Sequence, residues 1–320
     1  MASFKLGSSG EEVVKIQQRL KDLGLYTGAA DGHFGGGTEA AVKAFQKKEQ
    51  LDVDGIVGPA TFRVLFDEEA PADPAIASQP LDHRCLALTG TFETGTVAPG
   101  CFSCVTGDFD DQGMSFGALQ WNFGQGSLQP ILEQMLQDHR DVMETVFHEH
   151  LPQLEAALQG GKEAALSFAR STQDPVRHRV EEPWLGMFQA LGRTPECQEI
   201  QTGMAKDHHR RGLALAQEYG LKSQRAAALM FDIVVQNGSI KPEIKQQILA
   251  DFDALPKDLT PDDLEVRKMQ SVANRRAEAA KAAFVEDVRR RKLCIANGEG
   301  TVHGIRFNLR DQFGITLGAV

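Results

Sequence analysis

The chain has 320 residues, more than a single hydrophobic core usually supports, so we expect two domains. Hydrophobic residues make up 42% and charged residues 24%, a globular balance that excludes wholesale disorder. The formal net charge of −10 argues against nonspecific binding to nucleic acid or to an anionic membrane. No apolar run is long enough to insert stably into a bilayer. The first residues also lack an apolar signal core, so we expect cytoplasmic synthesis.

The first predicted domain covers residues 1–66 and contains an internal repeat. The pattern D-G-x-apolar-G-x-x-T occurs at 31–38 and again at 54–61. Asp-Gly and the later glycine favour tight turns, and each threonine is expected to cap a following helix. An earlier helix is predicted to begin at a capping box formed by Ser9 and Glu12. The pattern therefore predicts three helices joined by two glycine-rich loops.

This domain resembles the type 1 peptidoglycan-binding domain that is attached to bacterial and phage cell-wall hydrolases. The resemblance covers nearly all of residues 4–66 and includes both copies of the repeat. It implies that a cell-wall polymer docks near the repeat loops. The candidate contacts are Tyr26, Asp31, His33 and Asp54, and the aspartates can equally serve only to organise turns.

Residues 67–80, DEEAPADPAIASQP, form the predicted domain boundary. Three prolines and the lack of apolar periodicity favour an extended, semi-rigid linker. The second domain is then predicted to cover residues 81–320. Its first helix, at 81–92, is expected to bury one face, and a small β-hairpin is expected in the glycine- and Asp-rich stretch at 107–122. The rest is predicted to be almost entirely helical, at 128–138, 141–158, 162–170, 184–191, 196–219, 222–236, 242–254 and 262–292.

A mainly α domain with one small β element, following a helix that ends in Glu, resembles the lysozyme superfamily. The resemblance depends on Phe92-Glu93-Thr94-Gly95 and on the hairpin pattern Gly113-x-Ser-x-Gly-x-x-Gln120. Goose-type lysozymes and lytic transglycosylases are similar in having a Glu at a helix end and a later Gly-x-x-Gln turn. Bacterial chitosanases are more similar still, because an Asp follows their Glu at about the distance that separates Glu93 from Asp110.

The chemistry of glycosidic bond cleavage explains why a carboxylic acid belongs at this position. A protonated carboxyl group must give its proton to the leaving oxygen, and burial at the rim of an apolar face is expected to raise the pKa of Glu93. Asp110 is the preferred second carboxylate, with Asp108 and Asp111 as competitors. Strand alternation would place Asp108 and Asp110 on one face. The remaining candidates bind water or substrate: Ser115 for the attacking water, and Gln120, Trp121 and Asn122, with Asp108, for the sugar.

Three other motifs suggest different chemistry and are disfavoured. The G-x-S-x-G pattern around Ser115, with Asp232 and His303, matches a hydrolase nucleophile elbow, but the helical context does not fit that fold. The pair Cys101 and Cys104 lacks a second pair of ligands for zinc. The basic run 289–292 could face an anionic glycan, but a solvated helix face is the preferred interpretation.

The sequence therefore predicts a monomeric, endolysin-like muramidase that acts on peptidoglycan, with no metal or other cofactor and no nucleic-acid partner. Three alternatives remain open. A chitosanase would use the same fold, a lytic transglycosylase would need Glu93 alone, and a wall-binding protein would have no catalytic activity.

Overall fold

The computed structural model describes residues 4–6, 8, 11–67 and 75–320. They form two compact units. The first contains the described residues up to Gln79 together with Gly298–Gly300 and Arg306–Thr316. The second contains Pro80–Asn297, Thr301–Ile305 and Leu317–Val320. The predicted second domain, 81–320, differs from this division in the C-terminal stretches that group with the first unit.

The first unit is built on helices α1 (Glu11–Asp22), α2 (Gly36–Lys48) and α3 (Pro59–Phe66). They enclose a core to which all three contribute, with Phe4, Ile16, Leu20, Phe34, Phe45 and Phe62 among its buried members. The predicted cap at Ser9 lies outside the described residues. The predicted threonine caps are wrong, since α2 and α3 are preceded by Gly35 and Gly58. Each threonine instead lies inside its helix, where its hydroxyl has another partner described below.

Most of the predicted linker, residues 68–74, lies outside the described part of the chain. The end of that stretch, Ala75–Ser78, forms one short 3-10 turn.

The second unit begins with helix α4 (Leu81–Thr94), which is buried along nearly its whole length. Every residue from Arg84 to Phe92 is buried, so the predicted single buried face is wrong. The helix is enclosed by its neighbours and is central to this unit. A short 3-10 turn follows at Gly100–Ser103.

A three-stranded antiparallel sheet comes next, formed by β1 (Val105–Thr106), β2 (Ser115–Phe116) and β3 (Trp121–Asn122). In its register Thr106 lies opposite Ser115, and Ser115 lies opposite Asn122. The predicted small β element is present, with one strand more than a hairpin.

Helices make up the rest of the unit up to residue 297, which confirms the prediction of a mainly α fold. The predicted helix at 141–158 is broken by a 3-10 turn at His148–His150, because Pro152 fits only in the first turn of a new helix. The predicted helices at 196–219 and 262–292 are each two helices. The observed elements are α5 (Gln129–Asp138), α6 (Arg140–Phe147), α7 (Leu151–Gln159), α8 (Gly161–Ser171), α9 (Trp184–Arg193), α10 (Pro195–Met204), α11 (Lys206–Glu218), α12 (Gln224–Asn237), α13 (Pro242–Asp253), α14 (Pro261–Glu278) and α15 (Val285–Asn297).

The chain ends in elements that the sequence analysis missed. Strands β4 (Glu299–Val302) and β5 (Ile305–Asn308) form a two-stranded sheet, and α16 (Leu309–Phe313) follows. The connecting residues His303 and Gly304 both have positive φ, 51° and 79°, as a tight two-residue hairpin turn requires. The strands are short and carry few apolar residues, so they give no clear alternating pattern.

No helix among the described residues is long and apolar enough to cross a membrane. The same part of the chain contains no group of three or more His, Cys, Asp or Glu side chains that could hold a metal ion. All five cysteines are free thiols.

Candidate active site

Glu93 lies in the last turn of α4, where the helix ends at Gly95 with φ of 66°. The Gly95 N–H donates to the Thr91 carbonyl at 3.0 Å, which closes the helix end. The Glu93 side chain is 33% exposed and bonds an arginine. The expectation that Glu93 is buried against an apolar face is therefore wrong. The guanidinium group of the same arginine, Arg291, lies over the ring of Phe92, 5.0 Å from its centroid.

The end of α4 lies directly against the turn between β2 and β3. A Cβ atom added to Gly90 would lie 2.8 Å from the Ala118 Cβ and 3.1 Å from its backbone, so only glycine allows this approach. Gln201 of α10 is fully buried and fixes the same turn. Its Oε1 accepts from the Ala118 N–H at 3.0 Å, and its Nε2 donates to the Phe102 carbonyl at 2.9 Å. Helix α4, the 3-10 turn and the sheet are thereby held in one arrangement around Glu93.

Behind Glu93 lies a group of buried charges, the ion cluster, formed by Asp232, Arg291 and Lys292 with Glu93 at its edge. The Arg291 Nη2 donates to the Glu93 Oε1 and to the Asp232 Oδ1, each at 2.6 Å. Lys292 donates to the Asp232 Oδ2, and the Thr89 hydroxyl donates to the Asp232 Oδ1 at 3.0 Å. Asp232 and Lys292 are 0% exposed and Arg291 is 3% exposed. With Glu93 ionised, two cations and two carboxylates balance; with Glu93 protonated, the cluster carries one net positive charge.

This balance decides the ionisation of the cluster. Burial alone disfavours charge, yet the charges of Arg291 and then Lys292 hold the pKa of Asp232 well below its usual value. Burial also opposes the charge on Arg291, but Asp232 and Glu93 raise the pKa of that guanidinium. For Lys292 the desolvation dominates and lowers the pKa to about 8. The cluster therefore holds a permanent guanidinium 2.6 Å from the Glu93 carboxyl group.

The three candidate aspartates lie in the loop between β1 and β2, so the predicted placement on a strand is wrong. Asp108 is 9% exposed and its Oδ2 accepts from the Arg170 Nε at 3.2 Å. Asp111 is almost fully exposed and has φ of 62° in the turn. Asp110 is exposed and its Oδ1 accepts only a weak bond from the Gln112 N–H, at 3.3 Å. Of the three, Asp110 and Asp111 present an accessible carboxylate.

The sheet places the other predicted residues beside one another. Ser115 is half-buried, and its hydroxyl is bonded to no residue that the structure describes. The Gln120 amide is used inside the sheet, accepting from the Thr106 hydroxyl at 2.6 Å and donating to the Gly117 carbonyl at 3.0 Å. The Oδ1 of buried Asn122 accepts from the Gln125 N–H at 2.8 Å. Trp121 is half-buried against the core. Sugar contacts by these side chains stay predictions.

In the first unit, each copy of the repeat is organised by a buried glutamine from the preceding helix. The Gln17 Nε2 donates to the Asp31 Oδ1, the His33 carbonyl and the Thr38 hydroxyl, while its Oε1 accepts from the Gly32 N–H. Gln46 makes the same four contacts in the second copy, to Asp54, Ile56, Thr61 and Gly55. The hydrogen bond from Gln17, and next the His33 N–H, lower the pKa of Asp31. The aspartates therefore organise turns, and wall contacts by them stay predictions.

Two other candidate contacts of this unit remain accessible. Tyr26 is partly buried, with its ring over Gly28 and its hydroxyl donating to the Ala29 carbonyl at 3.1 Å. The His33 side chain accepts from Arg306, a residue grouped with this unit.

The sequence analysis missed the ion cluster because it treated residues 289–292 as a solvated basic run. Arg291 and Lys292 are instead among the most buried side chains of the unit. A usable signal was Asp232, a single charge inside the apolar run 226–234, since such a charge must find a buried partner. The nucleophile-elbow alternative is also wrong. Ser115 lies inside β2, Asp232 lies in the ion cluster, and His303 pairs with Asp287.

Comparison with known proteins identifies the family of one region and several relatives of the chain. Residues 9–65 match the model of the putative peptidoglycan binding domain, which confirms the prediction for that region. A spore cortex-lytic enzyme of Bacillus cereus is 51% identical over 59 residues, covering 18% of this chain and 23% of that enzyme. The type VI secretion system spike protein VgrG3 of Vibrio cholerae serotype O1 is 30% identical over 148 residues, covering 41% of this chain and 14% of that protein.

Among solved structures, a chitosanase of Gynuella sunshinyii in complex with chitotetraose is 13% identical, with a TM-score of 0.43. The match covers 72% of this chain and 97% of that one. The chain spans less than a quarter of the length of the curated relatives described here.

Proposed function

We propose that this chain hydrolyses the glycan strand of peptidoglycan, with Glu93 as the general acid and Asp110 as the second carboxylate. The observation that carries the proposal is the Arg291–Glu93 contact of 2.6 Å, anchored by the ion cluster at the end of a buried helix. The Glu93 carboxyl group is one-third exposed beside the small sheet, whereas its partner Arg291 is buried. A purely structural ion pair does not need this accessibility. The match of residues 9–65 to a peptidoglycan-binding family supports the choice of substrate.

In this mechanism the Glu93 carboxyl group gives its proton to the glycosidic oxygen as the bond to the sugar breaks. The carboxylate that remains is stabilised by Arg291, which is already in place and needs no rearrangement. Asp110, exposed on its loop, orients the attacking water or stabilises the oxocarbenium ion, and the Ser115 hydroxyl binds that water. The water oxygen bonds to the anomeric carbon, and the proton that this water releases restores the Glu93 carboxyl group and completes the cycle. We also propose that the chain is synthesised in the cytoplasm and acts as a monomer.

The test is Glu93→Gln in the full chain, assayed on purified peptidoglycan by mass spectrometry of the released fragments. Loss of a general acid lowers the rate by about 10²–10⁴-fold, while the folded state should persist. Glu278→Gln is the matched control, because Glu278 is also a helix-end Glu that pairs with an arginine, at 3.0 Å. Unchanged cleavage by Glu93→Gln would refute the mechanism. Anhydro ends that persist in Asp110→Asn would instead identify a lytic transglycosylase.

Chitosan hydrolysis is the second candidate, because the net charge of −10 favours a cationic substrate. The same variants assayed on soluble chitosan separate the two. Cleavage of chitosan with none of peptidoglycan would overturn the choice of substrate and leave the role of Glu93 standing. A chain that sediments with cell walls but releases no fragment from either polymer would be a binding protein alone.

A further inference from the structure

The loop that carries Asp110 is packed tightly against the segment 173–180. A Cβ atom on Gly107 would lie 1.6 Å from the His178 carbonyl oxygen, so no side chain fits at that position. The Asp108 N–H donates to the Gln173 Oε1 at 2.7 Å, and Arg170 bonds both the Asp108 carboxylate and the Asp111 carbonyl. The loop and the segment therefore form one rigid surface beside the candidate second carboxylate.

This surface exposes an aromatic pair. Phe109, next to Asp110 in sequence, is 73% exposed, and its ring centroid lies 6.1 Å from that of His178. An exposed phenylalanine stabilises no core, and its hydration is unfavourable unless a ligand covers it. The flat apolar face of a sugar ring is a suitable ligand for such a ring.

Two arginines flank His178 on the same segment. Arg177 and Arg179 are exposed, and neither side chain forms an ion pair with any residue in the described ranges. Asp174, three residues before Arg177, has its Oδ1 occupied by the N–H groups of Val176 and Arg177, each at 2.8 Å. Glu181 and Glu182 follow Arg179 closely in sequence, but Glu182 instead accepts from the Gly186 N–H at 2.9 Å. An antiparallel bridge between Gln173 and Val180 closes the segment. The two guanidinium groups are thus held on a fixed turn and remain available to an anion.

We propose that Phe109, Arg177, His178 and Arg179, the arginine–aromatic rim, bind a peptidoglycan strand beside the candidate catalytic loop. Phe109 packs against a sugar ring, and the arginines pair with carboxylates of the peptide stems. This inference rests on the proposed function and deepens it, because it names the part of the substrate that is recognised. Guanidinium groups attract stem carboxylates and repel the ammonium groups of chitosan. The rim therefore favours an anionic glycan, although the net charge of the whole protein is negative.

The test measures binding by the full chain carrying Glu93→Gln, so that the glycan is not consumed. The probes are soluble peptidoglycan oligomers with peptide stems and the same oligomers after enzymatic removal of the stems. The rim variant is Arg177→Gln/Arg179→Gln. Its matched control is Arg210→Gln/Arg267→Gln, which removes two exposed arginines elsewhere in the same unit. Both double variants change the net charge equally.

Removing two exposed ion pairs should lower the affinity for the stem-bearing oligomers about fivefold. We expect that loss in the rim variant only, and no change for the stem-free oligomers. Phe109→Ala should weaken the binding of both probes. Equal losses in the rim and control variants, or no loss in the rim variant, would overturn the proposal. The chain with its native Glu93 is assayed separately for cleavage. If it cleaves no peptidoglycan while the rim variant still loses affinity, the proposed function is wrong and the binding role of the rim is retained.

Discussion

The ion cluster gives the strongest prediction for stability, through the substitution Asp232→Asn. This change removes the carboxylate that is bonded to Lys292, and leaves Glu93 as the ion-pair partner of Arg291. Both cations are within a few per cent of complete burial, so neither can regain water without local unfolding. Removing one partner of a buried ion pair costs about 3–5 kcal/mol, a large share of the roughly 5–15 kcal/mol that stabilises a domain.

A matched control is available in the same unit. Arg275 also binds an aspartate through two bonds, both 2.7 Å to Asp251, but these side chains are 34% and 29% exposed. Asp251→Asn should therefore cost only about 0.2–1 kcal/mol. The chemistry of the two substitutions is the same, and burial is what differs.

The measurement is urea unfolding followed by tryptophan fluorescence. Both tryptophans, Trp121 and Trp184, lie in the second unit, so the signal reports on that unit. The double variant Asp232→Asn/Lys292→Met should recover part of the loss, because it also removes one of the uncompensated charges. The reasoning would be refuted if Asp232→Asn costs no more than Asp251→Asn.

Two further predictions concern the helix that carries Glu93 and the pH dependence of stability. Gly90→Ala should destabilise the second unit by about 1–3 kcal/mol and lower the rate of cleavage, because the added Cβ collides with the Ala118 Cβ and lies very close to its backbone. Gly203→Ala is its control in α10. Nothing lies within 4 Å of a Cβ added there, so the free energy of unfolding should increase by about 0.5–1 kcal/mol. Equal effects of the two substitutions in urea titrations would contradict the packing argument. Burial lowers the pKa of Lys292 from 10.5 to about 8, so between these values the unfolded chain binds a proton that the native chain has released. The contribution of Lys292 to the unfolding free energy therefore rises with pH over that window. Urea titrations at several pH values should show this rise in the wild type relative to Lys292→Met, and parallel pH profiles would refute it.

The organisation of the first unit could be predicted because its signals are local. Asp-Gly turns and their following helices are specified within a few residues, and both copies of the repeat form the predicted turn and helix, although a glycine and not the threonine precedes each helix. The buried glutamines could not be found in the same way. Gln17 precedes its aspartate by 14 residues and Gln46 by 8, so no common spacing links them to the motif. The two glutamines organise their loops only after each helix has packed against its loop.

The position of Glu93 could also be predicted, because a helix end and a following Thr-Gly are visible in sequence. Its partner could not, since Arg291 is 198 residues away. A run of four basic residues does not reveal that two of them point inward, because helical charge runs are usually solvated. Only the isolated Asp232 indicated a buried cation, and it did not indicate which one. Pairings of this kind depend on tertiary packing of α4, α12 and α15, which local pattern does not encode.

The net charge of −10 affects how a substrate approaches the protein more than how it is bound. Screening at physiological salt reduces interactions between exposed charges beyond about 8 Å, so total charge affects approach and not the bound contacts. At contact distance the relevant charges are local: the ion cluster with Glu93 at its edge, and two arginines beside the Asp110 loop that form no ion pair within the described ranges. Under the proposed function, the region that matches a peptidoglycan-binding family, residues 9–65, would also raise the local concentration of the wall polymer and offset slow encounter. An acidic protein with a basic rim is therefore consistent with an anionic glycan as substrate. The salt dependence of binding should follow the rim arginines rather than the net charge.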